Sequence, residues 1–357
     1  MKKIVLLLLS FFIFTSVIHP QGIIENPDKP TSPNAGRIIN LQEVLRITDE
    51  GGEFYFKYPS NIKVAPDNTI FVYDQEQLLR FDENGKFMHN FFVKGQGPGE
   101  LNFVRNYTFK DGKLIVFNAN PYKMVWFDFE GDLLDDVKIH DILGSLHFQF
   151  LSNDIFYFFK ADFPRPDGKP MIMDVPQVLI ALDKDGKNEK ELTSFNTRVF
   201  ATGGAWSGVS RLISVPYKKR YLFLSHTQEY LVKLYDTEAQ TTLRSFTRKY
   251  KRVKPPKDYR FGGIYGRDGK RIGPPLPEFF DDISEIFIFR DMLWVRNSTK
   301  DDEKGYLIDA FNFDGEFIDS FYLNIDGRLI STHENIIFVR EMDENELISV
   351  VKYKVIE

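Results

Sequence analysis

Cysteine is absent from all 357 residues. That excludes disulfide staples, thiolate nucleophiles and thiolate metal ligands. It also excludes the lipid-modified export signal, which needs a cysteine at its new N-terminus. Histidine is scarce, at six residues, and none stands at metal-ligand spacing. No nucleophile elbow G-x-S-x-G occurs; "GAWSG" (204–208) comes nearest, without the strand–turn–helix setting that motif needs. No S-x-D-x-G-x-T-W repeat is present. Net charge is only −5, so no overall basic field argues for nucleic acid.

Long apolar runs are missing too. The longest, Ile4 to Ile18, follows Lys2 and Lys3 and is shorter than the roughly 20 residues of a spanning helix. It fits a signal peptide over 1–22, removed on export, with no stable membrane insertion afterwards. Pro27, Pro30 and Pro33 then suggest a flexible leader over 23–36, ahead of a folded domain at 37–357. A periplasmic or secreted monomer is the expected product.

Phenylalanine, by contrast, is abundant at 35 residues, which favours strands, where aromatic side chains pack well. Two sets of strand-like runs recur. The first is "TIFVYD" (69–74), "KLIVFNA" (113–119), "DIFYFFK" (154–160), "RYLFLSH" (220–226), "MLWVRNS" (292–298) and "NIIFVRE" (335–341). The second includes "LLRFDENGKF" (78–87), "MVWFDFEGDL" (124–133), "LIALDKDGKN" (179–188) and "IDAFNFDGEF" (308–317), whose polar Asp/Asn-x-x-Gly centre reads as a hairpin turn. Each unit is therefore four strands joined by tight turns. Six units predict an all-β, six-bladed β-propeller with four-stranded antiparallel blades. The last unit lacks its outer strand, and "RIINLQEVLRI" (37–47) is the spare strand expected to fill the vacancy and close the ring.

"KGQGPGEL" (94–101) has the look of a phosphate cradle, but no Lys-Ser/Thr pair closes it and Pro98 has no N–H to offer. G-E-[FL]-x-F recurs at 52–56 and 99–103, each time before an innermost strand. The loop is architecture, turning the chain from one blade into the next. With this element, the F-D-x-x-G-x-F hairpins and the export signal, residues 37–357 resemble the secreted bacterial six-bladed propellers of the NHL-repeat-like and TolB-like kind. The resemblance implies fold and export. It carries no common catalytic motif, and blades three to five depart from its compact repeat.

Every long connection, at 94–105, 161–175, 196–210, 248–281 and 299–305, falls on the face where inner strands begin, which marks that rim as the binding surface. The segment 248–271 holds ten Lys/Arg against Asp258 and Asp268, interleaved with aromatics. Lys251, Arg252, Lys254 and Tyr259 are its candidates for docking an anionic glycan or an envelope protein. Trp206 is placed to stack on a sugar ring near the channel mouth, or else to plug the space between blades. Arg105, His147 and Arg211 stand at the starts of inner strands and are expected to ring the channel. The function expected is non-catalytic binding in the cell envelope, without a cofactor. The alternative is a metal-assisted hydrolase or lactonase at the channel mouth, for which Glu53, Asn61, Asn106 and Asp282 are the available ligands.

Overall fold

The computed structural model describes residues 22–49, 51–140, 142, 144–163, 169–202, 205–259, 264–265 and 271–356. The expected signal peptide therefore lies outside the described residues, Gly22 apart. Six sheets form the blades, each antiparallel from an inner to an outer strand. Their inner strands are Ser60–Val64, Phe103–Lys110, Ser145–Ser152, Leu212–Tyr217, Ile283–Phe289 and Gly327–His333, in blades one to six. Asn40–Ile47 pairs antiparallel with Ile348–Ile356 and supplies the outer strand of blade six, which closes the ring as expected.

The repeat has a specific chemical cause. In the hairpins between third and fourth strands, Asp82 accepts the N–H groups of Asn84 and Lys86, Asp183 those of Asp185 and Lys187, and Asn312 those of Asp314 and Glu316, all at 2.9–3.1 Å. The following glycine supplies the positive φ the turn demands: 83° at Gly85, 68° at Gly186 and 87° at Gly315. Blade four lacks the glycine. There Asp236 accepts from Glu238 and Ala239, and Gln240 itself takes a φ of 53°.

Three features depart from the sequence expectation. The stretch 23–36, expected as a flexible leader, is laid along the ring. Ile23–Asn26 runs parallel to Thr241–Arg248 on the outer edge of blade four, and Thr31, Ser32 and Gly36 donate to carbonyls of 317, 318 and 320. The spare strand is also split: Arg37–Ile38 pairs parallel with Phe317–Leu323 of blade five before the chain passes to blade six. Pro27, Pro30 and Pro33 lie along this edge route, where missing N–H groups cost little. Third, blade three is five-stranded, because its third and fourth strands (Met171–Leu182, Lys190–Thr202) extend past the second strand and turn into Ala205–Gly208.

The core lies between neighbouring blades. Phe117 and Met124 of blade two pack with Phe156 and Phe158 of blade three, the Phe117 and Phe158 rings edge to face at 4.9 Å. Between blades four and five the seam holds a buried charge. The fully buried Asp309 receives Arg248 (2.7 and 2.9 Å), Asn297 (2.8 Å), Ser320 (3.0 Å) and the Tyr230 hydroxyl. The GQGPGEL loop is architecture here too. Glu100 accepts the Gly97 N–H at 2.8 Å, Gly99 donates to Asp136, and the buried Lys123 holds Asp136 and the Gly97 carbonyl, both at 2.7 Å. A side chain at Gly95 would meet the Glu100 carboxylate at 2.0 Å. The motif's two copies differ, for Phe56 is buried while Phe103 is exposed beneath the Arg105 guanidinium at 4.6 Å.

Two stability measurements test this packing. Phe158→Ala should cost about 3–5 kcal/mol in chemical denaturation, as a large cavity between blades; a near-silent change would mean the seam is misplaced. Asp309→Ala strands Arg248 without a counter-charge and should cost a similar ~3–5 kcal/mol; a loss within about 1 kcal/mol would contradict the hub.

Candidate functional site

The rim where inner strands begin is built by a repeated device. A polar residue at or just past the end of the second strand accepts N–H groups from the segment leading into that blade's inner strand. Asp74 takes those of Lys57 and Tyr58 in blade one, Asn118 those of Asn102 and Phe103 in blade two, and the Thr227 hydroxyl that of Arg211 in blade four. In five of the six inner strands the pairing then skips one residue: Asn61, Arg105, Gln149, Ser284 and Ile330. Such bulges bend the strand and re-aim a side chain. Sequence periodicity alone could not place them.

Three of the residues singled out from sequence come together. A cavity of about 420 Å³ opens between blades three and four, lined by His147 and Gln149 of one inner strand, Arg211 and Ser214 beside the next, and Trp206 on the edge strand of blade three. Trp206 is half-buried and tilted against Phe163, with ring centroids 5.4 Å apart. It is a wall and not a plug; the interblade plug is Trp294, 2% exposed and stacked on Phe289 at 3.9 Å. The Ser214 hydroxyl donates to Gln149 at 2.6 Å, tying the two blades at the cavity floor. Desolvation, then the neighbouring Arg105 charge, holds the His147 imidazole below its ordinary value. Among the described residues neither Arg105 nor Arg211 has a carboxylate partner within ion-pairing distance.

Among the described residues none of the basic segment lines this cavity, and much of its charge is already matched. Arg248 is spent on Asp309 inside the seam. Arg252 pairs with Asp282 at 2.8 Å and lies 4.7 Å over Phe279, which Lys254 also faces at 5.3 Å while standing 3.8 Å from Glu278. Tyr259 meets Phe280 edge-on at 4.9 Å. Lys249, Lys251 and Lys257 are exposed and form no ion pair among the described residues. Arg260, Phe261, Arg267 and Lys270 lie outside those residues.

Of the four metal candidates, Asn61 and Asn106 do converge, at 3.0 Å, but on a cation. The Lys63 ammonium donates to Asn106 Oδ1 at 2.9 Å and to the Tyr107 carbonyl, while Asn106 donates to the Phe148 carbonyl. A positive charge on the shared oxygen opposes a metal there. Asp282 is bound to Arg252, and Glu53 is exposed. Among the described residues no three Asp, Glu or His side chains gather as a metal set. One pair eluded the sequence: Ser210 Oγ meets His226 Nε2 at 2.9 Å, with His226 Nδ1 buried and unpartnered, so no carboxylate orients the ring.

The geometry defines a six-bladed propeller with a polar, arginine-bearing channel mouth. The chain belongs to the DUF5128 family, described as a 6-bladed beta-propeller, whose model matches residues 47–250. Among solved structures it is similar to a "Putative exported protein" of Bacteroides fragilis NCTC 9343, at 11% identity and a TM-score of 0.59, covering 94% of this chain and 100% of that one. It is also similar to a member of the duf4221 family from Bacteroides vulgatus ATCC 8482, at 11% identity and a TM-score of 0.58, covering 90% and 99%. At such identities the likeness shows the fold alone. No curated protein matches the sequence. Among the described residues no helix is long and apolar enough to cross a membrane.

Lys63 yields a pH prediction. Burial among neutral acceptors pushes its ammonium down to about 8, from an ordinary 10.5. The folded value is the lower one, so between those limits the unfolded chain holds more protons and stability rises with pH. The penalty is in full force below pH 8. Denaturant midpoints measured from pH 7 to 10.5 should therefore climb more steeply for the natural chain than for Lys63→Met; parallel curves would contradict this placement.

Proposed function

We propose that this chain is a non-catalytic, exported propeller of the cell envelope, acting in the periplasm or outside the cell, that binds an acidic saccharide in the cavity between blades three and four. The observation that supports it is the company kept there. An indole face, two amide or hydroxyl side chains and an arginine without a counter-ion share one pocket of about 420 Å³. An indole stacks on an apolar sugar face, Gln149 and Ser214 suit ring hydroxyls, and Arg211 suits a carboxylate through two parallel N–H groups. Arg105 adds a second unmatched positive charge beside His147. Lys249, Lys251 and Lys257 extend the positive field on loop 248–271 and would raise the encounter rate with an anion without contacting it.

The hydrolase alternative lacks comparable support. Of its carboxylates Asp282 is bound to Arg252 and Glu53 is exposed, its asparagines hold a lysine, and its serine–histidine pair has no third member.

Titration with a uronic-acid monosaccharide should change Trp206 fluorescence, and Trp206→Phe should remove that response while Trp126 and Trp294 still report folding. Arg211→Ala should weaken binding roughly tenfold or more, as loss of a charged hydrogen bond does. An uncharged sugar that binds as tightly, or an unaffected Arg211→Ala variant, would refute the reading.

A further inference from the structure

Across the same channel mouth, blades five, six and one bring together charges that their own carboxylate does not balance. Glu285, third residue of its inner strand, takes Arg296 at 3.0 Å and Arg328 at 2.7 Å. Arg296 pairs in register with Glu285 from the second strand of blade five, and Arg340 with Arg328 from the second strand of blade six. The Arg340 guanidinium lies 3.6 Å over the Tyr58 ring and donates to the Pro59 carbonyl at 3.5 Å. Among the described residues no carboxylate lies within ion-pairing distance of it, and Asp74 acts on it through charge alone. An interblade clamp needs one cation for each carboxylate, and here two guanidinium groups share one while a third stands beside them.

The cluster is also continuous with the cavity. Burial disfavours the Arg296 charge most, and Arg328 in blade six and Arg211, a wall of the cavity in blade four, also repel it. Arg340, and after it Arg328, holds the Tyr58 phenol below its ordinary value. Like charges gathered at low solvent exposure are costly unless an anion joins them. Arg328 is about half exposed, whereas Glu285 beneath it is mostly covered, so the open side of the group presents donors.

We propose that Arg296, Arg328 and Arg340, with the Tyr58 hydroxyl, form a second anion subsite, and that the ligand is an oligosaccharide carrying acid groups on at least two residues, one in each subsite. This rests on the reading of the cavity as an acidic-sugar site. The acid held here accepts from Arg340 and Tyr58, while Arg328 remains shared with Glu285. Two subsites on one rigid rim make the second contact intramolecular, so a short polyuronate gains affinity that its monomer lacks.

Calorimetric titration of the folded chain with galacturonic acid, its trimer and the fully methyl-esterified trimer tests the idea. The trimer should bind at least about tenfold more tightly than the monomer, and the ester should lose that gain. Arg340→Gln, which leaves both Glu285 ion pairs intact, should reduce the trimer's advantage over the monomer to less than about threefold. Arg328→Ala should do the same, with melting temperature checking its fold. Arg211→Ala should weaken monomer and trimer alike. A trimer no tighter than the monomer, or an advantage undiminished in Arg340→Gln, overturns the second subsite and leaves the cavity assignment standing. Binding of neither sugar overturns both.

Discussion

A ring of blades has two loose ends, and everything on its rim depends on their being joined. Asn40–Ile47 against Ile348–Ile356 makes that joint with seven register partners between residues some 300 positions apart in the chain. Until it forms, blade six lacks an outer strand and the seam between blades six and one lacks Ile47, which packs there with Phe338 and Val350. The charged groups of the channel mouth come from all six blades, and Glu285 joins Arg296 of its own blade to Arg328 of the next. Ring closure is thus the condition for the site as well as for the fold.

The fold was legible because the repeat is written in chemistry that acts locally. An aspartate or asparagine accepting two N–H groups, followed by a glycine at positive φ, needs no partner from elsewhere in the chain. That is why the hairpins at 82–85, 183–186 and 312–315 announced themselves, and why blade four blurred, with Ala239 where the glycine would stand and the positive φ moved on to Gln240. The strap over blades four and five was not legible. Pro27, Pro30 and Pro33 disfavour central strands, and composition cannot tell a solvated leader from a chain lying on an existing sheet edge. Blade three's long hairpin was hidden for a related reason: its extension pairs only with itself and shows no break in pattern between the buried and the projecting part.

The site was legible in fragments. Arg105, His147 and Arg211 could be picked because they precede or open inner strands. Arg296 and Arg340 stand on second strands, and only the register places them beside Glu285 and Arg328. Charge counting along 248–271 misled in the other direction. Ten cations in one segment look like a surface field, but Arg248 is consumed by Asp309 in the seam and Arg252 by Asp282. Local charge measures what a segment carries, while recognition depends on what remains unmatched after folding. By that measure the dense basic loop shrinks, among the described residues, to Lys249, Lys251 and Lys257, and the sparse arginines of the channel mouth count beside them.

The strap has a further consequence in time. Ile23–Asn26 lies on a strand ending at Arg248, Arg37–Ile38 on one ending at Leu323, and Asn40–Ile47 on one ending at Ile356. The earliest of these segments to be synthesised has its resting place on blades made much later, and the last placement awaits the Ile348–Ile356 strand. A chain ordered in this way stays open while it is being made, and its ring locks from the last blade back to the first strand.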